Sequence, residues 1–160
     1  MKLRKCISGG QTGADKTGLE CAKALNLKTG GTAPKGYRTE SGADPSLKDF
    51  GVVEDDVPNY QSRTRKNVRD AEATLWFGNV GSPGYWCTKQ EADRLGRPFI
   101  INPSGDKMVE VASLYEVINV AGNRVSTNPR VVQQVRDAFA ALNPIASTEQ
   151  PLGDGTFNRS

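Results

Sequence analysis

Apolar positions along this chain fall into short runs separated by stretches of helical period. Lys5–Ser8 is a strand-length run that leads into a glycine-rich turn, and beyond Asp15 the residues Leu19, Ala22 and Leu25 recur at helical spacing. A second strand is predicted over 27–33. Residues 34–59, rich in Gly, Pro, Asp and Ser, read as one long connection, a kind that is usually functional or mobile in a compact domain. A helix over 60–71, a buried strand over 73–78, a second glycine-containing turn over 81–88 and a helix from about Thr88 to Leu95 follow. The pattern closes with a fourth strand over 97–102, a helix over 107–114 and a fifth strand over 116–121. The last helix is predicted with Asn128 as N-cap and Pro129 at its first position, its stripe formed by Val132, Val135, Phe139 and Leu142.

Strands alternating with helices predict an α/β fold, with a mostly parallel sheet of about five strands and helices on both faces. In such a sheet all carboxyl ends share one edge. The turns at 9–13, 81–84 and 122–126 should therefore converge there. From Asn143 the periodicity is lost, so the expected organisation is one domain over 1–143 and a polar tail over 144–160.

Composition narrows the function classes. The chain has 160 residues, 36% hydrophobic and 24% charged, which suits a single soluble domain with one substantial core. It has no apolar run long enough to span a bilayer, and the apolar stretch behind the basic N-terminus is too short for a signal peptide, so a cytoplasmic protein is the default expectation. A net charge of +3 is too mild to announce nucleic-acid binding, although Arg63, Arg65, Lys66 and Arg69 form a basic cluster without interleaved aromatics. Cys6, Cys21 and Cys87 are scattered, with no C-x-x-C, and suggest buried thiols rather than a disulfide framework or a metal site. No histidine is present. The usual general base, pH switch and commonest metal ligand are thereby removed, and any chemistry falls to carboxylates, lysines, hydroxyls, thiols or the ligand.

The first turn is the strongest candidate for chemistry. Gly9, Gly10 and Gly13 let the backbone bend tightly and turn its N–H groups toward an anion, Gln11 and Thr12 add side-chain donors, and the helix start supplies positive potential. The spacing matches neither G-x-G-x-x-G nor the G-x-x-x-x-G-K-[ST] loop, so a plain tight turn is the competing reading. Lys35 and Arg38 either reach back to this anion or are solvated loop charges. Arg63, Asn67 and Asp70 share one helix face, which pattern alone assigns to solvent.

The blocks Ile7–Asp15, Gly30–Gly31 with Pro34–Arg38, Tyr60–Asp70 and Asn119–Arg124, in this order, resemble those of the putative molybdenum carrier proteins. That family shares a Rossmann-like superfamily with the Lonely Guy phosphoribohydrolases and DNA-processing protein A. The resemblance covers about residues 5–142. It implies a Rossmann-like three-layer sandwich, often a homo-oligomer, that binds a phosphate-bearing or molybdate-like molecule at the glycine loops. It also moves Arg63, Asn67, Arg69 and Asp70 from a solvated face to site or site-supporting residues. The chain departs from the family where a Gly-Gly-Thr turn often follows the third strand. Here Tyr85 and Trp86 lie in that region, and they either stack on a pterin or base or pack against the sheet. Of the phosphoribohydrolase signature P-G-G-x-G-T-x-x-E only Thr88 and Glu91 keep their spacing, so that activity does not carry over.

Two functions are then expected. In the first, main-chain N–H groups of residues 9–13 and of Ser82 to Gly84 hold an oxyanion, with Lys35, Arg63 or Arg124 as countercharge. The ligand is the molybdenum cofactor, molybdate, a phosphate or a nucleotide, and donors alone suffice. In the second, a nucleoside phosphate is hydrolysed with Glu91 or Asp15 activating water, unless these are only acids at helix starts.

Overall fold

A computed structural model of the chain describes residues 1–149. Strands β1 (Lys5–Ser8), β2 (Lys28–Ala33), β5 (Val52–Glu54), β6 (Ala73–Phe77), β7 (Phe99–Ile101) and β8 (Val117–Gly122) form one parallel sheet in the order β5-β2-β1-β8-β6-β7. A separate two-stranded hairpin pairs β3 (Arg38–Thr39) with β4 (Gly42–Ala43). The sheet has six strands rather than five. The sixth, β5, lies within 34–59, which is also partly folded by the hairpin and a 3-10 helix over Pro45–Phe50. Three residues on the edge of a sheet are too few to show a period in sequence.

Helices α1 (Ala14–Ala24), α4 (Gly105–Leu114) and α5 (Val131–Ala140) pack together, α1 against β1 and β8 and α5 against β6. Between them and the sheet lies the main core of Leu75, Phe77, Met108, Ile118, Val120, Val135 and Phe139. Helices α2 (Tyr60–Arg69) and α3 (Pro83–Leu95) pack against each other, α2 touching β2 and α3 touching β7 and β8. Alternation along the strands separates the two faces. Leu75 and Phe77 of β6 join the main core, whereas the intervening Trp76 joins Tyr85, Ala121 and Phe99 in a smaller cluster. No helix among the described residues is long and apolar enough to cross a membrane.

Two helix starts differ from expectation. Helix α3 opens at Pro83, capped by Ser82, whose Oγ accepts the Tyr85 N–H at 3.1 Å, so Tyr85 and Trp86 belong to its first turn. The Ser-Pro start and the left-handed Gly96 at its end are ordinary helix signals, outweighed in the sequence by the glycines around them. Helix α5 starts at Val131 without a side-chain cap, because the Asn128 side chain instead donates to Asn123 Oδ1 at 3.1 Å. Residues 143–149 form a further helix, α6 (Asn143–Glu149), with Ala146 against the main core, where a polar tail was expected; the rest of that tail lies outside the described residues.

Asn67 ties α2 to the sheet. Its side chain is buried, accepts the Thr32 N–H at 2.8 Å and donates to the Thr32 carbonyl at 2.9 Å. This replaces a strand neighbour on the β1 side of β2, because the β1–β2 ladder ends at Ile7 and Gly30, before Thr32. Replacing it with alanine would strand two buried backbone groups at about 1–3 kcal/mol each. Asn67→Ala should therefore lower unfolding stability in urea by about 2–4 kcal/mol at an unchanged m-value, whereas Asp70→Ala at the exposed end of α2 should change it by less than about 0.5 kcal/mol.

Candidate functional site

The chain runs outward from β1 to β2 and β5, then crosses to β6 and β7 and returns through β8 to lie beside β1. Connections on the two sides of β1 and β8 diverge, which leaves a crevice beyond their carboxyl ends. The turns after β1, β6 and β8 meet at this crevice. One cavity of about 100 Å³ is lined by Gln11 and Asp15 from the first, Gly84 and Thr88 after the second, and Gly122 and Arg124 from the third. Two further cavities, about 160 and 270 Å³, adjoin it and share Gly84 and Arg124 with it. Together they form a groove across the carboxyl edge.

The glycine turn is built for close approach. Gly13 has φ 109° and pairs with Arg124, and a Cβ there would stand 2.4 Å from the Asn123 carbonyl oxygen. A Cβ on Gly9 would lie 2.1 Å from a terminal nitrogen of Arg63. Its amides do not await a ligand, which corrects the expectation for Gly9, Gly10, Gln11 and Thr12. The Gln11 N–H donates to the Asp15 carboxylate and the Gly9 N–H faces it, Gly10 N–H donates to Ser8 Oγ, and Thr12 N–H to Gln11 Oε1. The nest that sequence assigned to an external anion holds the chain's own Asp15.

Asp15 is almost wholly buried, with Arg63 Nη1 donating to its Oδ2 at 3.3 Å. Burial pushes its carboxyl above the usual carboxylate range, and Arg63 and the amides pull against that without cancelling it. The Arg63 and Arg124 guanidinium groups lie 5.5 and 5.0 Å from the centre of the same Tyr60 ring. Tyr60 thus holds two cations at one cavity wall, a role its sequence position gave no sign of. Two polar atoms at this wall are buried without a partner, Gln11 Nε2 and Arg63 Nε. At the first turn of α3, Ser82 accepts from the Tyr85 and Trp86 amides, which leaves the Gly84 N–H without an acceptor among the described residues.

Other expected residues lie elsewhere. Lys35 and Arg38 are exposed and line none of the three cavities. Asn67 is the strut to Thr32, and Arg69 and Asp70 pair with each other at 3.3 Å in solvent. The basic cluster is divided: Arg63 faces Asp15, Lys66 pairs with Asp55, and Arg69 pairs with Asp70. Glu91 is held by two bonds from Arg94, at 3.0 and 2.6 Å, which keep its carboxyl below the usual range, and it lines none of the three cavities. Thr88 does line the first cavity, its hydroxyl donating to the Gly84 carbonyl at 2.8 Å. Tyr85 packs edge-on against Trp76 and Phe99 under the sheet, while Trp86 is half exposed. Among the described residues no group of three acidic or cysteine side chains could hold a metal ion.

The raised carboxyl of Asp15 fixes the sign of a pH effect. A group whose folded value lies above its unfolded value contributes stability that is complete below the unfolded value and is lost as pH rises through the folded one. The stability of wild type relative to Asp15→Asn should therefore fall as pH rises above about 4, the usual carboxylate range, in urea unfolding. A difference that grows as pH rises would mean that Arg63 and the amides outweigh burial.

Residues 6–143 match the circularly permutated YpsA SLOG family. A crystal structure described as "Putative molybdenum carrier protein", from Syntrophus aciditrophicus SB, superposes with a TM-score of 0.77 at 29% identity, over 88% of this chain and 94% of that one. No curated protein matches the sequence. The match spans the sheet, all three converging turns and the crevice between them, and the chain belongs to the circularly permutated YpsA SLOG family.

Proposed function

We propose that this protein binds a small oxyanion or a phosphate-bearing molecule in the groove at the carboxyl edge of its sheet. The observation that carries this reading is that Gly84, at the positive end of α3, and Arg124 line all three cavities of the groove. Helix N-termini and guanidinium groups both favour negative charge, and here they face one space. Arg63 adds a second cation, and Gln11 Nε2 adds a buried donor in need of an acceptor. The anion is thus assigned to the start of α3 and the turn after β8 rather than to the nest of residues 9–13.

A molybdenum-bearing cargo fits this donor set, because molybdate and a cofactor phosphate both require donors and no general base. The name of the structural neighbour favours that cargo. A nucleotide meets the same donors through its phosphate. Hydrolysis is less well supported, since Glu91 is neutralised by Arg94 outside the cavities. Asp15 is the remaining carboxylate at the site.

The test is thermal unfolding against molybdate, tungstate, phosphate, nucleoside monophosphates and the molybdenum cofactor. A ligand at 100 times its Kd stabilises the fold by about 2.7 kcal/mol, or roughly 5–10 °C in a domain of this size. Arg124→Ala should weaken binding of the active ligand by about tenfold or more, the loss of one charge-assisted contact. If none of these compounds shifts the transition at millimolar concentration, the reading is wrong.

A further inference from the structure

The tip of the β3–β4 hairpin crosses the same edge of the sheet. Its Glu40 is anchored through its main chain, whose N–H donates to Gln11 Oε1 at 2.8 Å. The Glu40 carboxylate takes the Thr12 hydroxyl at 2.6 Å and the Ser126 N–H at 3.2 Å on one oxygen, and the Ser126 hydroxyl on the other. Ser126 and Thr12, with the nearby charge of Arg124, keep this carboxyl below the usual carboxylate range. Two hydroxyls and a main-chain amide, with the charge of a guanidinium nearby, are what an oxyanion site requires. They come from the turns after β1 and β8, which flank the crevice, and Thr127, next to Ser126, lines the largest of the three cavities together with Arg124.

A second observation shows that this corner is incomplete. The Gln11 side chain is only 4% exposed, and its Oε1 accepts from Thr12 and Glu40 while its Nε2 has no acceptor. The bonds to Oε1 fix the orientation of the amide, so the unsatisfied donor is not a reversed assignment. It belongs to the wall of the cavity shared with Gly84 and Arg124. A buried donor without a partner costs about 1–3 kcal/mol, which an incoming oxygen would relieve.

From these contacts we infer that Thr12, Ser126 and Arg124 form an oxyanion subsite which the chain's own Glu40 carboxylate fills until an anionic group of the ligand displaces it. The inference rests on the anion-binding reading above and specifies the ligand further: it carries an oxyanion reaching past Arg124 to Thr12 and Ser126, as a phosphate or diphosphate does. The exchange replaces one anion by another, so the cluster is never left uncompensated. Only the tip of the hairpin has to move. Its ladder consists of two residue pairs, and it is held at its base by buried Tyr37, whose carbonyl accepts the Asp44 N–H, and by the Lys16–Asp44 ion pair. So few contacts place the tip at the low end of local stability.

Calorimetric titration with inorganic phosphate and pyrophosphate tests the exchange. Glu40→Ala should bind pyrophosphate about tenfold more tightly than wild type, and adding Thr12→Val and Ser126→Ala to that variant should abolish the gain. In wild type, which needs no variant to fold, saturating pyrophosphate should speed hydrogen exchange at the Glu40 amide as its bond to Gln11 is released. Binding by wild type that is not tightened in Glu40→Ala, or a Glu40 amide that becomes better protected, would make Glu40 a structural clamp and overturn the inference while leaving anion binding intact. Absence of binding in both wild type and Glu40→Ala would instead remove the anion-binding reading, and this inference with it.

Discussion

The close approach of the turn after β1 to the turn after β8 is the constraint on which the site depends. Ala14 N–H donates to the Asn123 carbonyl and Val125 N–H to the Thr12 carbonyl, and Gly13 between them has no room for a side chain. These bonds bring Gln11, Asp15 and Thr12 beside Arg124 and Ser126. They also fix the start of α1, whose Gly13 cap contributes no side-chain bond of its own. Without this contact the crevice of a parallel sheet would remain, but its walls would not meet.

Charge at this edge is managed with internal carboxylates. Asp15 fills the amide nest of the first turn and pairs with Arg63, and Glu40 fills the hydroxyl cluster beside Arg124. The two differ in depth. Asp15 is buried and pushed up by burial, with amides, a guanidinium and a packed helix around it, so removing it would leave buried donors orphaned. Glu40 stands on a two-residue hairpin near solvent and is held low by its donors. A deep carboxylate sets the architecture of the site, and a shallow one can be exchanged.

Comparable economy governs the other long-range ties. Asn67 completes the ladder of β2 beyond the point where β1 ends, and Asn102 exchanges two bonds with Gly78, at 2.7 and 3.0 Å, to hold the turn after β6. Asn123 accepts from the Asn79 amide and the Asn128 side chain, which joins that turn to the one after β8. Side-chain amides carry both a donor and an acceptor, so each can satisfy backbone groups that a parallel sheet leaves open at its carboxyl edge.

The order of elements, the parallel sheet and the convergence of three turns were legible in the sequence, because apolar period and glycine placement are local properties that bear directly on backbone form. The family resemblance added the block around Tyr60–Asp70 to the site, and of those residues Arg63 does reach it. What could not be read was the partner of each polar group. Asp15 looked like a helix-start acid, Asn67 like a ligand contact, Glu91 like a base, and Glu40 and Tyr60 like nothing in particular; 20 to 109 residues separate Asp15, Glu40 and Tyr60 from one another or from Arg124, and only folding sets them side by side. Hydrogen bonds and ion pairs act over a few ångströms. Whether a glycine nest receives a ligand or the chain's own carboxylate is therefore decided by tertiary proximity, which no local pattern encodes.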